Sequence, residues 1–195
     1  GIVLNDAVLE LAETISESES ASLQDVMLDG CVDDADFNSL LVAAVGQLMQ
    51  TPSVRKLSLS GNHTLQSADM LQIAALLRSN KTIREIDFRS INLSEEAVDA
   101  LTAALREQNT TLLSLKHNFA DLREINYYTT LNCCGRGRVL DVCCSREEFV
   151  DCLIKAVLYR ADDKSHVSRS VKQETGASVT FAFLRSAPHL WSTCS

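Results

Sequence analysis

The sequence predicts an α/β fold in which about four strand–helix units repeat with parallel strands, closed by helical segments at both ends. Three observations carry that expectation. A short apolar pattern recurs at a nearly constant interval, each copy is followed by an amphipathic helical stretch, and the period is confined to the middle of the chain. A unit of this kind cannot bury its own apolar edge, so a core arises only when neighbours stack into a solenoid.

The elements follow in order. Residues 3–15 place Leu4, Val8, Leu11, Ala12 and Ile15 on one helical face, and a Ser/Glu-rich break runs from Ser16 to Ser22. Residues 1–20 therefore read as an N-terminal helical cap. Segments starting at Leu23, Val54, Ile83 and Leu112 share the pattern L-x-x-L-x-L, with starts separated by 31, 29 and 29 residues. Between them lie helical stretches with three expected inward faces. Leu40, Leu41, Ala44, Val45 and Leu48 form the first; Met70, Leu71, Ala74, Ala75 and Leu77 the second; Ala97, Val98, Leu101, Ala104 and Leu105 the third. Ser67 and Ser94 are the expected caps, and polar breaks at 79–81 and 108–110 end the helices.

With four frames in agreement, residues 21–119 resemble leucine-rich repeats of the ribonuclease-inhibitor type, as found in NOD-like receptors and tropomodulin. The best match runs from Val54 to Asn62, where Asn62 stands at the position that family uses for an asparagine ladder. Cys31 holds the equivalent place in the first repeat, while Ile91 and Ala120 hold it in the third and fourth. The resemblance implies a leucine-rich-repeat solenoid with an exposed concave strand face.

Beyond His117 the period is lost, and residues 120–195 read as a helical, Cys-rich C-terminal cap. Leu122, Ile125, Tyr128 and Leu131 suggest a helix ending at Gly135. Ser145 to Glu148 is a capping box opening a helix with Phe149, Cys152, Leu153, Ala156 and Val157 inward, and a last helical run covers roughly 165–186.

Composition narrows the function. The 195 residues are 46% apolar and carry a net charge of −8, which disfavours nucleic acid as a partner. No run of apolar residues is long enough for a transmembrane helix. The charge is uneven: residues 1–54 hold ten acids and no Lys or Arg, so the acidity belongs to one end of the repeat array. Seven Cys, an odd number with two adjacent pairs, make a poor disulfide framework and point to an intracellular setting, cytoplasmic or inside an organelle. Four Asn-x-Ser/Thr sequons, at Asn62, Asn80, Asn92 and Asn109, read as chance products of Asn-rich turns.

No constellation for catalysis stands out, no cofactor is implied, and the chain reads as a non-enzyme. Metal or thiol chemistry has weak candidates in Cys133, Cys134, Cys143 and Cys144, but adjacent pairs diverge and match no standard zinc spacing, so packing is the favoured role. Asp33, Asp34 and Asp36 lack the rest of a calcium loop and suit helix capping. Arg136 and Arg138 suit a solvated turn.

The outward strand positions remain. Asp25, Met27, Asp29, Arg55, Lys56, Ser58, Arg84, Glu85, Asp87, Arg89 and Lys116 are the candidate partner-binding residues, graded from acidic in the first repeat through basic in the second to mixed in the third. They point to a protein–protein interaction module, a scaffold or accessory subunit within a multi-subunit complex. The alternatives are a thiol- or metal-dependent protein centred on the Cys-rich segment, an actin-associated tropomodulin-like binder, and a ubiquitin-ligase substrate adaptor.

Overall fold

The computed structural model of the chain describes residues 7–17, 23–118, 122–141, 145–158 and 178–185. The chain divides into two compact units, Gly1–Asn126 and Tyr127–Ser195.

In the first unit each L-x-x-L-x-L segment forms a three-residue strand: β1 (Asp25–Met27), β2 (Lys56–Ser58), β3 (Glu85–Asp87) and β4 (Ser114–Lys116). They pair in sequence order as one parallel sheet, with Val26, Leu57, Ile86 and Leu115 in register. The apolar positions make three columns of core. Val54, Ile83 and Leu112 fill one, Val26, Leu57 and Ile86 the next, and Leu28, Leu59 and Phe88 the third, all buried. The columns weaken at their ends, where Leu23 is exposed and Leu115 and His117 are half-buried.

Among the described residues, four α-helices belong wholly to this unit: α1 (Ala7–Glu17), α2 (Asn38–Gln50), α3 (Ser67–Ser79) and α4 (Glu95–Glu107). Each packs on the next in chain order. Ala12 buries the described side of α1, while Leu4 lies outside the described residues, as do the side chains of Val8 and Leu11. In α3 the inward face differs from the sequence expectation. Met70, Ile73, Ala74 and Leu77 are buried, whereas Leu71 and Ala75 are exposed. The stripe is centred on Ile73, which puts those two on its shoulder.

The helix starts also differ in detail. Ser94 caps α4 as expected, accepting from Ala97 N at 3.2 Å. Ser67 is instead the first residue of α3, and the Asp69 carboxylate reaches back to Gln66 N at 2.8 Å. Asp34 caps a 3₁₀ turn, Ala35–Phe37, by accepting from Asp36 N.

The first three strands each exit through a left-handed residue: Gly30 (φ 56°), Gly61 (φ 78°) and Ser90 (φ 62°). Two of the three are glycine because a side chain is strained in that region. Gly30 N donates to Ser60 O and Gly61 N to Arg89 O, which continues the parallel ladder through the turns.

In the second unit, α5 (Arg123–Cys133) crosses over from the first, followed by α6 (Arg136–Val139), α7 (Arg146–Leu158) and helical residues 178–185. Leu131, Cys134, Val139, Phe149, Cys152, Val179 and Phe183 make its core. The expected capping box is present: Glu148 N donates to Ser145 Oγ, and Ser145 N to Glu148 Oε2. The remainder of the expected run over 165–186 lies outside the described residues, as do the side chains of Ala156 and Val157.

Candidate functional site

The outward sides of the four strands form one groove of about 180 Å³. Nine of the eleven candidate partner-binding residues line it: Asp25, Met27, Asp29, Lys56, Ser58, Glu85, Asp87, Arg89 and Lys116. Their convergence follows from the pleat. Alternate strand residues face the same way, and an in-register parallel sheet sets them in rows. One row is Asp25, Lys56, Glu85 and Ser114; the next is Met27, Ser58, Asp87 and Lys116.

Arg55 and Arg84 do not line the groove. Each lies one residue before its strand. Arg55 donates from Nη1 to Thr82 O at 3.3 Å, and Arg84 is exposed.

Charges in the groove are paired across strands. Lys56 Nζ lies 3.7 Å from Asp25 Oδ2 and 3.7 Å from Glu85 Oε1. Lys116 Nζ approaches Glu85 Oε2 at 3.9 Å. These pairs are solvent-exposed, and each contributes at most about 1 kcal/mol.

The tightest pair is Arg89 with Asp87. Nε donates to Oδ2 at 2.9 Å and Nη2 to the same oxygen at 2.7 Å, while Arg89 N donates to Oδ1 at 3.0 Å. Burial works against ionisation of Asp87. The hydrogen bonds from Arg89, with the charges of Arg89 and Lys116, outweigh it and hold the carboxyl below its ordinary range. Asp29 accepts at Oδ1 from Ser58 Oγ and from Ser60 N. Met27 stands beside these charges with 74% of its surface exposed.

Below the groove the structure shows two sets of buried asparagines. Asn62 is fully buried; its Nδ2 donates to Leu28 O and Leu59 O, and its Oδ1 accepts from Val32 N. This ties the first repeat to the second. Cys31 and Ile91, at the equivalent positions, make no such bridge: the Cys31 thiol donates to Asp29 O at 3.8 Å and Ile91 is an apolar core residue. Ala120 lies outside the described residues.

The second set is at the helix-to-strand corner, where sequence reasoning saw only polar breaks. Asn80 donates to Met49 O and accepts from Thr82 N and Ile83 N. Asn109 does the same one repeat later, donating to Leu77 O and accepting from Thr111 N and Leu112 N. Three of the four sequon asparagines are thus buried structural residues, while Asn92 is exposed. The recurrence of Asn-x-Thr-Ile/Leu at a spacing of 29 residues, Asn80 to Asn109, was the signal for this corner.

The cysteines separate by environment. Cys133 is exposed and Cys134 is buried, so the adjacent pair diverges as its spacing implies. Burial first, then the neighbouring thiols, pushes Cys134 up to about 11, which keeps it protonated and poorly nucleophilic. Cys143 and Cys144 lie outside the described residues, and no group of three potential metal ligands occurs among the described ones. Arg136 is not in a solvated turn. It is half-buried in α6, its guanidinium 5.3 Å from the centre of the Tyr128 ring.

Fold and groove together define an α/β protein whose four parallel strands present an ion-paired, Met-edged surface. No protein-family model matches the chain by sequence, and no curated protein does. The solved structure of leiomodin-1 actin-binding site 2 matches 93% of this chain and 90% of its own length, with a TM-score of 0.52 and 18% sequence identity. At that identity the likeness establishes a shared fold. No described helix is long and apolar enough to cross a membrane.

Proposed function

We propose that the chain is a non-catalytic protein–protein interaction module, a leucine-rich-repeat solenoid of the ribonuclease-inhibitor type that works inside the cell as a scaffold or accessory subunit of a larger assembly. One observation carries the reading: residues from four successive repeats converge on a single outward groove, so the repeat architecture is used to assemble one surface. Opposite charges are juxtaposed across its strands, and such a pattern selects partners by charge complementarity.

The test is a triple variant, Met27→Ser, Lys56→Ala and Lys116→Ala, used as bait beside the parent chain in extracts of the native source. Met27 is largely exposed and the two Lys side chains are about half exposed, so the fold is expected to survive. A partner captured by the parent and lost with the variant supports the groove; undiminished capture sinks it. A second reading, an actin-associated role, is favoured by the likeness to an actin-binding site of leiomodin-1. Co-sedimentation with filamentous actin decides it, and a chain left wholly in the supernatant removes it.

A further inference from the structure

The three cations of the groove all have carboxylates within ion-pair distance: Lys56 has Asp25 and Glu85, Lys116 has Glu85, and Arg89 has Asp87. Four carboxylates line the same space, and the odd one is Asp29. Among the described residues no Lys or Arg lies within 4.0 Å of it. Arg89 feels its charge only at longer range. Its Oδ1 is held by Ser58 and Ser60, which fixes the carboxylate, and no described donor reaches Oδ2.

Two residues earlier, at the end of β1, stands Met27, 74% exposed, with Asp25 on its other side. Alternate residues of an extended chain are at most roughly 6.5–7 Å apart, so an apolar, adaptable side chain separates two carboxylates within the reach of one long side chain. The space of about 180 Å³ corresponds to roughly six waters, well below the ~300 Å³ where small-molecule sites begin.

From this geometry we infer that the β1 end of the groove is a seat for one basic side chain of the partner, an arginine or lysine, its aliphatic stem on Met27 and its cationic head on Asp29. The stem removes apolar surface from water while the head meets a positioned oxygen, the way amphipathic side chains divide between apolar and polar surroundings. An acidic residue meets the opposite situation, because every groove cation is already engaged. The inference deepens the docking reading and rests on it, since it names the chemistry of the residue that anchors there.

The experiment is amide NMR of the full chain titrated with three probes: N-acetyl-arginine methylamide, the norleucine analogue and the glutamate analogue. Saturable shifts at the amides of Met27, Asp29 and Ser58 with the arginine probe, in the millimolar range and weakened by added salt, are expected. Asp29→Asn retains the acceptor for Ser58 and Ser60 but loses the charge, and it is expected to weaken that binding about fivefold or more; Met27→Ser weakens it as well. Equal binding of norleucine, binding of glutamate at the same amides, or no saturable shift overturns the inference. If glutamate binds there, the groove still docks a partner and only the anchor chemistry is wrong. If arginine binds there but the triple variant keeps its partner, the docking reading fails instead.

Discussion

The two compact units are held together by different means. In the first, buried asparagines recur at repeat spacing and join one repeat to the next through backbone atoms: Asn62 to Leu28, Asn80 to Met49, Asn109 to Leu77. In the second, no such recurrence is found among the described residues, and the fit is steric. Gly135, at φ 93°, lets the Cys152 sulfur approach so closely that a Cβ there would stand 2.6 Å from it. A stacked unit must satisfy the same exposed backbone groups each time the chain turns, so one residue type solves the problem repeatedly. A single helical cluster has no repeated problem and solves each contact once.

The contrast is sharpest at Asn80. Asn80→Ala leaves Thr82 N and Ile83 N without their acceptor, next to the fully buried Ile83 side chain. A loss of about 3 kcal/mol is expected in urea unfolding, because unsatisfied buried groups bear their full desolvation penalty. Asn92→Ala, the exposed sequon, is the control and is expected within about 0.5 kcal/mol of the parent. Equal effects at the two sites break the comparison.

The steric side is tested by Gly135→Ala. The left-handed φ and the overlap with Cys152 together are expected to cost about 2 kcal/mol. Adding Cys152→Ala relieves the overlap but not the backbone, so the double variant recovers part of that beyond its own cavity cost, seen as a coupling energy in a mutant cycle. Ser145→Ala, which removes half of the α7 capping box, is expected to cost about 1 kcal/mol.

The smallest effect is at His117, which takes the place that Leu28, Leu59 and Phe88 hold in the third core column. Burial lowers its pKa below the ordinary 6.5. The neutral form is therefore the one the fold prefers, and its contribution is complete above about pH 6.5 and declines as pH falls toward the folded value. Unfolding free energy is expected to drop between pH 7 and pH 5, and His117→Gln to flatten that part of the profile. An unchanged slope removes His117 as the cause.

Much of the first unit was legible. The strands fall inside the L-x-x-L-x-L segments because the period-two burial of a strand is written in which residues are apolar. The groove residues were legible for the same reason, up to the strand's first residue; Arg55 and Arg84 lie just outside it, where alternation does not hold. The pairing of charges was not, since Lys56 meets both Asp25 and Glu85 only once register is known. Asn80 and Asn109 were legible as polar breaks that end the helices, but their burial was not, since nothing in composition says that the corner is covered. In the second unit the capping box was local and legible, whereas the Gly135–Cys152 contact joins residues seventeen apart with no periodic sign.

The burial of Asn62, Asn80 and Asn109 also makes glycosylation at these positions incompatible with the fold. Each belongs to a sequon, and an oligosaccharide attached to any of the three would have to occupy space already filled by the core. A chain so modified during synthesis is barred from this fold.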